Sequence, residues 1–102
     1  MIINQPGAEF FFEDVCYKIG DRIVGTDASE YQGLLGSIIE IRDGEDKETE
    51  NETPDIYCSF DDPVLPYDIA ELEKSFSELY QCKKTIEDIA LDEVIMAPEM
   101  IE

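Results

Sequence analysis

A row of acidic residues between two hydrophobic segments has a spacing that could replace DNA phosphates in a basic groove. The row places an acid at every second position: Asp46, Glu48, Glu50 and Glu52. In an extended segment, alternate side chains share one face and lie about 6.6 Å apart, at roughly 3.3 Å per residue. Phosphates recur about every 3.4 Å along one DNA strand, so the carboxylates would match every second step. The spacing predicts an acidic arm over residues 43–55 that imitates DNA.

The same segment also fits a solvated hairpin tip. Asp43-Gly44 and Pro54-Asp55 stand at its two ends, and Asp, Gly and Pro are typical turn residues. For the arm taken alone, the hairpin tip is the simpler interpretation. Acids elsewhere change the balance, because they are spread along the chain: Glu9, Glu13, Asp14, Asp61, Asp62, Asp68, Glu87, Asp88, Asp92 and Glu93. Their spread favours a wide anionic surface that contacts a basic partner.

The predicted partner-binding residues form two sets. The primary set is the arm: Asp43, Glu45, Asp46, Glu48, Glu50, Glu52 and Asp55. The secondary set follows the arm in sequence: Tyr57, Asp61 and Asp62. Tyrosine belongs to the second set because interfaces are enriched in it, and Tyr31, Tyr67 and Tyr80 are further candidates of this kind.

The net charge limits the kind of partner. Twenty-six acidic and seven basic residues give a formal charge of −19 over 102 residues, well beyond the magnitude of about 2–8 that suits a small soluble domain. Such a polyanion is expected to bind neither nucleic acid nor an anionic membrane directly. It can instead be steered onto a basic protein surface, at a rate that falls with salt.

Catalytic and metal sites are not expected. Asp61-Asp62 and Asp92-Glu93 are adjacent acids, which point to opposite faces of a strand and so would not share a pocket. The chain has no histidine, hence no serine–histidine or cysteine–histidine pair. Residues 43–55 lack the residue order of an EF-hand calcium loop. We expect a protein that is not an enzyme and uses no cofactor or metal.

The cysteines and the first residues suggest a reducing compartment. Cys16, Cys58 and Cys82 are three in number and widely spaced, which argues against zinc sites and disulfide frameworks. They are expected to be reduced packing residues in a cytoplasm. Residues 1–8 read as a loose lead-in without signal-peptide character, and no segment is long enough to span a membrane.

The hydrophobic pattern predicts short strands, one helix and a closing strand in a single domain over residues 1–102. Strands are expected at residues 10–12, 15–19, 22–25, 34–42, 56–60 and 94–97. The helix is expected near Pro66, with Asp68 and Glu71 at capping-box spacing. Its core stripe is Ile69, Leu72, Phe76 and Leu79. Thr85 and Asp88 predict one further capped turn.

Residues 17–42 resemble the start of a KOW-type or other SH3-like small barrel. The similarity lies in the run from Tyr17 to Val24 (YKIGDRIV) and in the run from Gly33 to Ile41 (GLLGSIIEI). It implies an α+β fold with a small SH3-like antiparallel barrel, or a strongly bent sheet, covered by one helix. KOW modules commonly bind RNA or ribosomal and transcription proteins. The acidity of this chain is unlike the RNA-binding members and leaves protein binding open.

In size and acidity the chain also resembles small mobile-element proteins of the anti-CRISPR and anti-restriction type. That similarity implies an inhibitor that occupies the nucleic-acid groove of a host defence nuclease in a bacterial cytoplasm. The alternative is a KOW-like adaptor in a ribosomal, transcription or conjugation complex, which would use the barrel and its tyrosines. Strong salt dependence of binding would favour the inhibitor over the adaptor.

Overall fold

A computed structural model describes all 102 residues and shows an α+β fold built on an open antiparallel sheet. Its strands are β1 (Ile2–Ile3), β4 (Arg22–Val24), β5 (Leu35–Arg42), β6 (Asp55–Phe60) and β7 (Val94–Met96). Strands β2 (Glu9–Phe12) and β3 (Val15–Lys18) form a separate hairpin. One α-helix, α1 (Pro66–Tyr80), follows β6, and short 3₁₀ turns span Gly44–Asp46, Ile86–Asp88 and Pro98–Met100.

The sheet is not closed into a barrel. Both β1 and β4 pair with one edge of β5, β6 pairs with its other edge, and β7 pairs with β6. Strand β7 pairs with neither β1 nor β4, although Glu102, beyond β7, exchanges two backbone hydrogen bonds with Val24 at the outer edge of β4. The expected SH3-like closure is absent, whereas the α+β class with one helix is confirmed.

The first residues belong to the sheet, which corrects the expectation of a loose lead-in. Ile2 and Ile3 pair with Arg42 and Ile41 of β5. The sequence did not reveal this strand, because two residues are too few to show a strand period. Ile2 and Ile3 form a strand only through their pairing with β5, which is distant in sequence.

Strand β5 is the central element and carries a β-bulge. Ile38 lies opposite Cys58, but Glu40 lies opposite Tyr57, so β5 has one extra residue at this point. The bulge resets the alternation of faces, and as a result both Ile38 and Ile41 point into the core, where they are at most 1% exposed. The glycine of this strand, Gly36, pairs regularly with Phe60 and lies outside the bulge.

Helix α1 begins earlier than the predicted capping box. Leu65 is the N-cap residue and Pro66 occupies the first turn, where its missing N–H and restricted φ are tolerated. Asp68 therefore lies inside the helix instead of capping it. The predicted turn at Thr85 is confirmed, since Thr85 and Asp88 form a reciprocal capping box.

The core joins the sheet to the helix through aromatic side chains. The Tyr31 ring stacks on Phe60 with centroids 4.8 Å apart and meets Phe76 of α1 edge-on at 5.3 Å. The Tyr31 hydroxyl donates to the carbonyl of Ala90 at 2.6 Å, and burial raises the pKa of Tyr31 to about 12. Tyr31 thus ties its loop to the sheet, to the helix and to the segment before β7.

Candidate partner-binding surfaces

The acidic arm lies between β5 and β6 and is held from inside by Asp55. This side chain is 2% exposed, and one of its oxygens accepts hydrogen bonds from the backbone N–H groups of Glu48 (2.8 Å) and Thr49 (3.0 Å). The other oxygen accepts from the Thr49 hydroxyl. Burial acts to raise the pKa of Asp55, but these hydrogen bonds outweigh it and leave the pKa below its ordinary value. Asp55 orders the arm and does not lie on its surface, which corrects its assignment as a partner contact.

The arm is not the extended row that its spacing suggested. Its first part is the 3₁₀ turn Gly44–Asp46, and residues 47–54 form no strand. The rule that alternate residues share a face holds only for extended backbone, so the spacing argument does not apply to this arm.

The acids of the arm differ in the partners that they already have. Asp46 forms an ion pair with the amino group of Met1, and Glu48 forms one with Arg42 at 3.1 Å. Asp43 is partly buried. Glu45, Glu50 and Glu52 are exposed and lie in no ion pair. These three are the arm carboxylates most available to a partner.

Tyr57 is a buried residue, which corrects its assignment to the secondary set. Its side chain is 7% exposed, and the guanidinium of Arg42 lies 4.8 Å from its ring centroid. Its hydroxyl makes no hydrogen bond, and its pKa is raised, first by burial and then by the nearby Glu48 carboxylate. Among the other tyrosines, Tyr31 is buried, while Tyr67 and Tyr80 are about half exposed or more, at 73% and 48%.

A second acidic surface lies at the opposite end of the sheet. It is an open groove of about 740 Å³, which we call the helix groove, between α1, residues 29–35 and residues 61–64. Five carboxylates line it: Glu30, Asp61, Asp62, Asp68 and Glu71. Strand β5 runs from Leu35 in the groove to Arg42 beside the arm, which separates the two surfaces by roughly 23 Å at about 3.3 Å per residue.

The helix groove contains Asp61 and Asp62, which the sequence singled out, and apolar residues that it did not. Leu35, Val64 and Leu79 line the groove with 54%, 83% and 57% of their surfaces exposed. Leu79 was expected in the core, yet only Leu72 and Phe76 of the predicted stripe are buried. The pair Val64-Leu65, set between Pro63 and Pro66 in the connection before the helix, was the available sequence signal.

Most carboxylates on the surface have no cationic partner. Only four of the 26 acidic side chains lie within 4 Å of a cationic nitrogen: Asp46, Asp61, Glu40 and Glu48. None of the lysines forms an ion pair. The negative charge is therefore not neutralised within the fold and remains available to a partner.

The adjacent pair Asp61-Asp62 lines the helix groove, where Asp61 is held in an ion pair. Asp61 is bound by the guanidinium of Arg22, which lowers the pKa of this carboxyl. A general acid needs the opposite, a pKa raised toward neutrality. No group of three or more Cys, Asp or Glu side chains is arranged to hold a metal ion. Cys58 is buried, but Cys16 and Cys82 are exposed, which corrects their assignment as packing residues.

No protein-family model, curated protein or solved structure matches this chain. The candidate surfaces therefore rest on geometry and charge alone. None of the helices combines the length and the apolar character that crossing a membrane requires.

The unpaired charge predicts that salt stabilises this fold. Repulsion among carboxylates opposes the compact state and is screened by added ions. Raising NaCl from about 20 mM to about 500 mM should increase the midpoint of thermal unfolding by roughly 5 °C, which corresponds to about 1 kcal/mol for a domain of this size. Differential scanning calorimetry measures this shift. NaCl is preferred to sulfate, which stabilises most proteins by exclusion from their surfaces. A midpoint that does not move would show that the carboxylates repel one another only weakly.

Proposed function

We propose that this protein is a non-catalytic inhibitor that binds the basic, nucleic-acid-binding groove of another protein. The observation that supports the proposal is the charge balance of the surface, where only four of 26 acids have a cationic partner. A basic groove attracts such a surface over long range and with fast association. The proposed partner is a host defence nuclease of the CRISPR or restriction type, and the proposed setting is a bacterial cytoplasm.

The acidic arm is the proposed contact. Glu45, Glu50 and Glu52 are its exposed carboxylates without an ion pair, so they can replace phosphates without first losing an internal partner. Asp46 and Glu48 add negative charge but are bound to Met1 and Arg42. The internal hydrogen bonds of Asp55 limit the conformations of the arm, and a preorganised contact loses less entropy on binding. In this proposal the protein competes with DNA through charge density, without copying the phosphate spacing.

Reversing three charges of the arm tests the proposal. Glu45, Glu50 and Glu52 are replaced together by lysine, and competition with DNA is measured on purified RNA-guided and restriction nucleases. The wild-type protein should displace DNA from a nuclease at low salt and lose this effect at high salt. The triple variant should bind at least about 100-fold more weakly, because like charges then face each other across the interface.

A control variant with the same net charge separates a local effect from a general one. Asp27, Glu87 and Glu99 are exposed acids outside the arm and make no side-chain ion pair. Replacing them together by lysine changes the net charge by the same amount and should weaken binding much less. Equal losses in the two variants would mean that the arm has no special role. An unaltered affinity in the arm variant would refute the proposed contact.

A second candidate, an adaptor within a larger protein complex, is supported by a different observation. Leu35, Val64 and Leu79 are exposed together in the helix groove, and apolar anchors of this kind are typical of protein interfaces. A ribosomal, transcription or conjugation protein would be the partner. Binding through this groove would survive high salt, whereas binding through the arm would not.

A further inference from the structure

We propose that the helix groove binds a basic amphipathic helix of a partner protein. Three apolar side chains in it are more than half exposed: Leu35 from β5, Val64 from the connection before α1, and Leu79 from α1. They come from three separate parts of the fold and still meet in one groove. The chain itself leaves more than half of each side chain exposed, so the groove presents apolar surface that a partner can bury.

The charge around the groove indicates the sign of the occupant. Glu30, Asp62, Asp68 and Glu71 line it, and neither lysine nor arginine does. Asp61 also lines it but is already bound by Arg22 from outside the groove. An occupant with lysine or arginine beside its apolar side chains would satisfy both the apolar centre and the acidic walls.

The shape of the groove favours a helix over an extended strand. One wall is a stripe of α1 with helical spacing: Asp68, Glu71, Leu72, Ser75 and Leu79. The other walls are loops, and the single sheet residue in the groove is Leu35, whose carbonyl already accepts from the N–H of Asp61 at 2.9 Å. No free strand edge lines the groove, so a peptide could not add to the sheet. An amphipathic helix needs only side-chain contacts, at positions i, i+3 or i+4, and i+7.

A second copy of this chain is a less suitable occupant. Each copy carries a formal charge of −19, and the walls of the groove are acidic. Two copies would bring like charges together, which opposes association most strongly at low salt. A cationic helix is instead attracted to the acidic walls, most strongly at low salt.

This inference is independent of the proposed inhibitor function, because the acidic arm lies at the other end of β5 and can bind with the groove empty. It uses the same groove as the adaptor candidate and specifies the chemistry of the partner that the groove would take. It also changes the expected role of α1. Leu72 and Phe76 attach the helix to the core, and Leu79 is left to contact a partner.

The test uses three labelled peptides of about 18 residues, which is long enough to span the roughly 22 Å of a 15-residue helix. The first is an amphipathic helix of leucine and lysine, the second has the same composition in scrambled order, and the third has glutamate in place of lysine. Fluorescence anisotropy measures binding to the full-length protein at high salt, where nonspecific attraction is screened. The amphipathic basic peptide should bind at least about tenfold more tightly than the scrambled peptide, and the acidic peptide should bind more weakly than the basic one by a margin that grows as the salt is lowered.

Two variants with unchanged net charge locate the binding. The Val64→Ser/Leu79→Ser variant removes apolar surface from the groove and should weaken binding of the amphipathic peptide about tenfold or more. The control is Phe11→Ser, which removes a side chain that is 68% exposed on β2 and should have no effect. Circular dichroism confirms that both variants fold, as expected for exposed positions. The lysine variant at Glu45, Glu50 and Glu52 should retain the preference for the amphipathic over the scrambled peptide.

Several results would overturn the inference. Equal binding of the amphipathic and scrambled peptides would show attraction by charge alone. An equal loss of affinity for the amphipathic peptide in Val64→Ser/Leu79→Ser and in Phe11→Ser would show that the peptide does not bind in the helix groove. Sedimentation velocity gives a third readout: dimers of the wild-type protein that Val64→Ser/Leu79→Ser abolishes would show that a second copy occupies the groove. If the lysine variant at Glu45, Glu50 and Glu52 bound the nuclease as tightly as the wild-type protein does, the proposed contact would be refuted. This inference would still stand as long as the amphipathic peptide bound.

Discussion

Replacing Gly25 with alanine should destabilise the fold by about 3 kcal/mol or more. A Cβ atom at this position would lie 2.2 Å from the carbonyl oxygen of Tyr31 and 2.7 Å from its carbonyl carbon. Both are backbone atoms, so no side-chain rotation can relieve the contact. Gly25 also donates to the carbonyl of Leu34 and accepts from the N–H of Gly33, which closes the loop between them. The methyl group would push this loop, and with it the Tyr31 ring, away from the core.

Urea unfolding of Gly25→Ala measures the loss, and the tyrosine signal in near-ultraviolet circular dichroism reports the position of Tyr31. Gly44→Asn is the matched control. Gly44 has φ +68° and open space around its Cβ position, and asparagine tolerates this left-handed conformation better than most residues. The Gly44→Asn substitution should lower the free energy of unfolding by less than about 1 kcal/mol. If Gly25→Ala were as stable as Gly44→Asn, the Tyr31 backbone could not lie as close to Gly25 as described above.

The second large effect is expected at Asp55. Replacing it with asparagine keeps the size of the side chain but removes the charge that accepts from Glu48 and Thr49. An amide presents only one acceptor oxygen: with that oxygen on the two N–H groups, its NH2 would face the Thr49 hydroxyl, which would then have to accept instead of donate, and the charge would be lost from all three hydrogen bonds. Hydrogen bonds to a charged group contribute about 1.5–3 kcal/mol each, and we expect a loss of about 2–4 kcal/mol at neutral pH.

The loss at Asp55 should depend on pH. The hydrogen bonds hold the folded-state pKa of this carboxyl below its ordinary value. A lowered folded-state pKa gives stability that is present above the unfolded-state pKa of about 4 and is lost as the pH falls through the folded-state value. The difference in unfolding free energy between the wild-type protein and Asp55→Asn should therefore be largest near pH 7 and shrink below about pH 4.

Urea titrations of both proteins between about pH 7 and about pH 3 measure this difference directly. Comparing two proteins at each pH removes the contribution of the other carboxylates, which titrate in both. Glu50→Gln serves as the control, because Glu50 is exposed in the same arm and lies in no ion pair. The unfolding free energy of Glu50→Gln should differ little from that of the wild-type protein at every pH. A difference for Asp55→Asn that stays constant with pH would mean that this carboxylate does not order the arm.

The two proposed surfaces would give the large negative charge of this small fold a role in binding. The arm and the helix groove lie at opposite ends of β5, and both are acidic. The molecule is 37 Å in its longest dimension, so one partner could contact both surfaces. A nuclease with a basic groove and a basic helix beside it would be such a partner, and the arm and groove variants separate the two contributions.

Features that depend on neighbours in sequence were predictable. The β-branched residues in 34–42 identified β5, and Pro66 located the start of α1, because both rest on local backbone preferences. The capped turn at Thr85 and Asp88 is equally local, since the two residues bond only to each other. The bulge in β5 was not predictable, because it is defined by the register with β6.

The amino-acid sequence, through its composition and its hydrophobic pattern, determined that this protein is a polyanion with a single small core and one helix. It could not determine which acids face solvent. Asp55 stands in the same acidic run as Glu52, yet it is buried because donors from residues 48 and 49 surround it. Leu79 continues the stripe of Leu72 and Phe76, yet it is exposed because nothing in the fold packs over it. Sequence sets local preference and total charge, whereas burial depends on contacts between distant segments, and only the tertiary structure decides those.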